Sequence, residues 1–140
     1  MPILRGIAFF KRHQRLLMVL SAAYVGFLIL LHIQYGAMHV WLIACVFSII
    51  MNITYVFEAY AQKAYGKPET RVACVLIVLS LMGVLINPVF VIIAIFGHGT
   101  WDILKHCGVG IPFISWCTLG CSVVDFTYGA VLTIYWITTV

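Results

Sequence analysis

From Val72 to His106 the chain reads VACVLIVLSLMGVLINPVFVIIAIFGHGTWDILKH, and this stretch decides how often the protein crosses a membrane. Val72 to Phe96 carries no charge. Read as one helix, Val72 to Gly97 is 26 residues long. At ~1.5 Å per residue that is about 39 Å, more than a hydrocarbon core of about 30 Å requires. Asn87-Pro88 divides it. Proline removes an internal hydrogen bond and disfavours helix at the residue before it. The stretch then becomes two helices, Thr70 to Ile86 and Val89 to His106, of 17 and 18 residues. Each is just long enough to span.

Working outward, Leu16 to Leu31 and Val40 to Phe57 are also free of charge, and from Gly108 to the C-terminus there is one, Asp125. These runs predict a first helix over Leu16 to Tyr35, a second over Met38 to Ala61 and a fifth from about Pro112 to Ile137. Gly36 separates the first two, and Gly66-Lys67-Pro68, within the Gln62 to Arg71 loop, reads as a helix stop. The whole chain is 64% hydrophobic and 9% charged, with a mean hydropathy of +1.13. Soluble domains carry about 25% charged residues. No period-2 alternation suggests barrel strands. The expected fold is all-α, a polytopic transmembrane helical bundle of one domain over residues 1–140, with five spans favoured and four as the alternative.

The apolar stretch after Lys11-Arg12-His13-Gln14-Arg15 is about 20 residues, longer than the ~7–15 of a signal peptide core, and reads as a retained helix. Residues 1–15 are then a cytoplasmic N-terminal segment. Met1 to Phe10 fits a short interfacial amphipathic helix or an unstructured tail equally well. With five spans all eight basic residues face the cytoplasm, Lys105 included, and with four Lys105 falls outside. The positive-inside rule therefore favours five, with the N-terminus cytoplasmic and the C-terminus on the opposite side.

His98, Asp102 and His106 follow one another at i, i+4 and i+8 and share a helix stripe. Ionisable groups in so apolar a chain are costly and mark function. Five spans bring this stripe to the inner half of the bundle, with Asp125 on the fifth helix and Glu58 near the inner end of the second. The candidate catalytic residues are Asp102, Asp125, His98 and Glu58. The candidate metal ligands are His98, Asp102, His106 and Asp125, for a divalent ion such as zinc or iron. His98 and His106 are ~12 Å apart along the axis and cannot share one ion. Cys117, Cys121 and Asp125 follow one another at i, i+4 and i+8 and the cysteines could be ligands too, though free cysteine is commonly a small apolar packing residue. The structural alternative is a hydrogen-bonded network, with His98 against Asp125 and Asp102 against Lys105 or Arg15. Asn52, Tyr55 and Glu58 form a polar face that lines a cavity or bonds between helices. His32 and His39 flank the first outer turn without the matching pair that haem requires. Tyrosines and tryptophans near the helix ends fit aromatic belts. There is no Cys-x-x-Cys and no phosphate-binding or nucleic-acid motif.

Asn87-Pro88, Gly97-His98, Trp101-Asp102, His106, Trp116-Cys117 and Cys121 to Asp125 together resemble a family of small uncharacterised bacterial and fungal integral membrane proteins. In these a Pro-led helix ends in His-x-x-Trp-Asp-x-x-His-His and precedes a helix with a Cys and an Asp. The resemblance covers Asn87 to Ala130 and implies a helical membrane fold with a polar intramembrane site. Here Lys105 stands where that motif has the first of its two final histidines.

The function expected first is a membrane-embedded enzyme acting on a lipidic or isoprenoid substrate through the His/Asp site, by a metal or by acid–base chemistry. The alternatives are a small oligomeric transporter or channel with carboxylate cation sites, and a structural subunit of a membrane complex. The expected partners are the lipid bilayer, a hydrophobic small-molecule substrate and further copies of the chain in a homo-oligomer, and no nucleic acid.

Overall fold

The computed structural model of the chain describes residues 12–110 and 115–139. Five helices follow one another: α1 (Gln14–His32), α2 (Ala37–Ala61), α3 (Gly66–Leu85), α4 (Val89–His106) and α5 (Ser115–Thr139). There is no strand among the described residues. The stretch from Val72 to His106 is two helices, broken at Asn87-Pro88. The Asn87 side chain caps the new helix, its Oδ1 accepting from the Val89 amide at 3.0 Å. The segment Met1 to Phe10 and the side chain of Cys117 lie outside the described residues.

Two helix ends differ from expectation or add to it. Gly66-Lys67-Pro68 is the first turn of α3 and not a stop. A proline in a first turn sacrifices no hydrogen bond, because those amides have no partner within the helix. The early start draws Glu69 into the helix, where its side chain is buried. At the other end of the same hairpin, α4 closes through Gly108, whose φ is +100°. The Gly108 amide bonds the Lys105 carbonyl and the Val109 amide bonds the Leu104 carbonyl, both at 2.9 Å. This is a Schellman closure, and it needs the left-handed conformation that glycine adopts without cost.

In the bundle α1 lies on α5, α5 on α4, α4 on α3 and α3 on α2, while α2 also touches α4. Glycine allows the α3–α4 hairpin to close. A Cβ at Gly83 would stand 2.5 Å from Val91 Cβ and 2.6 Å from the Val91 backbone nitrogen. Gly83→Ala must therefore push the helices apart, and we expect about 1–3 kcal/mol of destabilisation in detergent unfolding. Gly26→Ala, whose new methyl meets nothing within 4 Å, should be neutral or slightly stabilising. Equal behaviour of the two variants would refute the close-packing account.

The distribution of polarity is inverted relative to a soluble protein. Buried side chains include Glu69, His98, Asp102, Lys105 and Asp125, together with Ser48, Asn52, Ser80, Thr118 and Ser122. Large apolar side chains such as Leu20, Phe27, Leu30, Phe57, Leu85 and Ile137 face outward. In water this surface would aggregate, whereas in lipid it is the solvated face. α2, α3 and Thr118–Thr139 of α5 are long and apolar enough to cross a membrane. The protein is a helical membrane protein.

Candidate functional site

Three side chains meet in the interior between α4 and α5. His98 Nε2 lies 3.8 Å from Asp102 Oδ2, one turn along the same helix, and 4.0 Å from Asp125 Oδ2 across the interface. All three residues are at most 1% exposed. Each offers a ligand atom within 4.8 Å of the other two. Small residues bring the helices this close. A Cβ on Gly99 would touch Asp125 Cβ at 3.0 Å, and one on Gly129 would touch the Phe96 ring at 3.0 Å. The α4 stripe and the α5 carboxylate thus converge because glycine faces each helix at the crossing.

The protonation of His98 follows from its other nitrogen. Asn52 Nδ2 donates to the Ser48 carbonyl at 2.8 Å, which fixes the amide orientation. Asn52 Oδ1 therefore faces His98 Nδ1, at 3.0 Å, and only a protonated Nδ1 can donate to it. In the neutral ring Nε2 then carries the lone pair. That lone pair faces the carboxyl groups of Asp102 and Asp125, and Nε2 has no hydrogen-bond partner among the described residues. The separations near 4 Å exceed any direct hydrogen bond. The Tyr55 ring stacks on the imidazole, with centroids 5.2 Å apart and an interplanar angle of 12°, and holds its plane. Further out, Ser80 Oγ lies 2.7 Å from Ser48 Oγ and braces α2 against α3.

Three side chains with electron pairs turned toward one point could hold a cation. Next to the cluster Lys105 Nζ donates to Glu69 Oε2 at 2.7 Å, and both side chains are buried. Lys105 also lies 3.5 Å above the Tyr55 ring centroid, a cation–π contact. Trp101 Nε1 donates to the same Glu69 oxygen at 3.0 Å. Glu69 and Lys105 cancel, which leaves the carboxyl groups of Asp102 and Asp125 in a low-dielectric interior. A divalent cation at the cluster would neutralise both in their ionised forms. The ligand set also fits. A tetrahedral zinc shell with bonds of about 2.0–2.1 Å places its ligand atoms about 3.4 Å apart. The observed spacings need small rotations of the two carboxylates to close on an ion. His98 further shows what metal-bound histidines usually show, a second nitrogen donating to a fixed acceptor. Three protein ligands would leave a fourth position of a tetrahedral ion for another ligand.

His98, Asp102 and Asp125, separated in sequence, meet in the fold. The other two candidates do not join them. Glu58 is half-buried on α2, where its Oε1 accepts from Gln62 Nε2 at 3.1 Å. It sits on the next turn beyond Tyr55 but faces the helix end. His106 is in the last turn of α4, outside the cluster, as the ~12 Å of helix between it and His98 demands. Arg15 is exposed, and the hydrogen-bonded partner of Lys105 is Glu69 rather than Asp102. Gly66-Lys67-Pro68 reads as a stop in the sequence, which leaves Glu69 in a loop, whereas the helix begins at Gly66. Proline followed by an acidic residue is equally a helix start, and that signal was available. Of the polar face on α2, Asn52 and Tyr55 bond and stack against His98 between helices. No protein-family model, curated protein or solved structure matches this chain.

Proposed function

We propose that the protein is a membrane-embedded metalloenzyme acting on a lipidic or isoprenoid substrate, with His98, Asp102 and Asp125 holding one divalent ion. The observation that carries the reading is the His98 Nε2 lone pair, fixed by Asn52 and turned toward two carboxylates in a fully buried setting. The ion would supply Lewis acidity at its open position. Asn52 and Tyr55 fix the imidazole. Glu69, Lys105 and Trp101 fix the end of α4 from which Asp102 projects. The apolar outer surface limits substrates to those that partition into the bilayer.

The test is metal analysis of the full chain purified in detergent without chelator. About one equivalent of zinc or iron is expected, falling to background in Asp102→Ala while Asn52→Asp retains it. Absence of stoichiometric metal, before and after incubation with zinc, would overturn the metal reading. Proton-coupled flux through the unmodified protein in liposomes would overturn the enzyme reading in favour of a carrier.

The same reading takes all five helices as spans, with the N-terminus cytoplasmic and the C-terminus opposite. The support is the break at Asn87-Pro88 together with exposed Arg12, Arg15, Lys63, Lys67 and Arg71 at one side of a five-helix path. Lys105, being buried against Glu69, contributes nothing to the count of loop charges. A compartment-specific reporter fused after Val140 should be active only on the non-cytoplasmic side. Activity in the cytoplasm rejects five spans.

A further inference from the structure

A second site lies about one turn along α5 from Asp125, where Tyr128 meets α1. His32, the last residue of α1, and Tyr128, in the middle of α5, face each other, with His32 Nε2 2.9 Å from the Tyr128 hydroxyl. Tyr128 is 1% exposed. The rings meet edge to face, 5.7 Å between centroids, and Phe47 packs on the far side of the phenol at 5.2 Å. Both polar groups open on a cavity of about 320 Å³ walled by Ile29, Val40, Leu132 and Tyr135. Pockets of this order accept small organic ligands.

The hydrogen-bond arithmetic of the pair is incomplete. A neutral imidazole and a phenol each bring one donor and at least one acceptor. Their single mutual bond uses Nε2 and the hydroxyl. If Tyr128 donates, an N–H remains at Nδ1. If Nε2–H donates, a lone pair remains at Nδ1 and the phenol proton remains unused. In both cases a buried hydrogen-bonding position is left over at the cavity, and His32 Nδ1 is buried with no hydrogen-bond partner among the described residues. A buried polar atom of this kind calls for a ligand atom or water.

Two further observations define the ligand. No Lys, Arg, Asp or Glu lines the cavity, so nothing there compensates a charged headgroup. A second cavity of about 430 Å³, almost wholly apolar, lies further along between the same three helices, at Leu17, Ser21, Tyr24, Phe47 and Cys121. From Ile33 to Leu17 the seam on α1 runs about 24 Å by helical rise, most of a hydrocarbon core. We propose that the seam between α1, α2 and α5 binds an uncharged long-chain lipid. Its hydroxyl or carbonyl oxygen bonds the His32–Tyr128 pair, and its tail lies along the seam toward Leu17. The site does not depend on any chemistry at His98.

The experiment is photolabelling of the full chain in phosphatidylcholine nanodiscs with hexadecanol carrying a diazirine on its chain. Saturable labelling is expected on α1 and α5 peptides lining the seam, displaced by unlabelled hexadecanol but not by ionised palmitate. Loss of one net hydrogen bond predicts about a tenfold weakening in Tyr128→Phe and in His32→Leu. Asp102→Ala should label like the unmodified protein, which separates this site from the His/Asp centre. Tyr128→Phe is nearly isosteric, so its folding, checked by gel filtration, should be intact. Non-saturable labelling spread over all lipid-facing helices, equal labelling in both variants, or equal displacement by palmitate would each overturn the proposal.

Discussion

Lys105→Met is expected to destabilise the fold by about 3–5 kcal/mol, the cost of breaking a buried ion pair from one side. The variant leaves the Glu69 carboxylate in the interior with only Trp101 Nε1 as donor, and it removes the cation from the Tyr55 ring. The double variant Glu69→Leu/Lys105→Met should recover most of the loss. A buried pair replaced by apolar side chains of similar size is often neutral or better, because the desolvation cost of both ions disappears. Thermal or denaturant unfolding of the purified proteins measures both. A single variant within 1 kcal/mol of the unmodified protein would show that the pair is not held as described. A double variant as poor as the single would show that Lys105 acts through something other than Glu69.

The second large effect concerns the ion. Asp125→Asn keeps the shape of the side chain and removes one of the two charges that a divalent cation neutralises. Its affinity for zinc, measured by competition with a chelator, should fall by more than that of Asn52→Leu. The latter leaves all three ligands in place and removes only the acceptor that fixes His98, for which a loss of about 10–100-fold is expected. The order of affinities is therefore unmodified protein, then Asn52→Leu, then Asp125→Asn. If Asn52→Leu binds as tightly as the unmodified chain, Nδ1 does not set the orientation of the imidazole. If Asp125→Asn does so, the carboxylate across the helix interface is not a ligand.

The parts of this architecture legible in the sequence are those fixed by local rules. Asn87-Pro88 divided α3 from α4 because proline acts on its own neighbours, and the i, i+4 relation of His98 and Asp102 is a property of any helix. Depth alone pairs Asp125 with them, since helical rise places residues along the membrane normal. What the sequence could not show is which faces meet. Glu58 and Glu69 both lie near helix ends on the same side, and only the rotation of α2 and α3 decides that Glu69 turns inward to Lys105 while Glu58 turns to Gln62. Rotation is set by close packing at Gly83, Gly99 and Gly129, where the contact partners are distant in sequence. The His32–Tyr128 pair is hidden for the same reason, being 96 residues apart.

The Glu69–Lys105 pair joins the start of α3 to the end of α4, the two open ends of one hairpin. That hairpin can neutralise these two charges before any other helix is present. Asp102 and Asp125 sit on different helices, and Asp125 is supplied by α5, which follows this hairpin in the chain. The hairpin is therefore neutral at its own mouth whether or not α5 is packed against it. The second carboxyl group reaches His98 only where α5 packs on α4, so the proposed cation site is complete only in the assembled bundle.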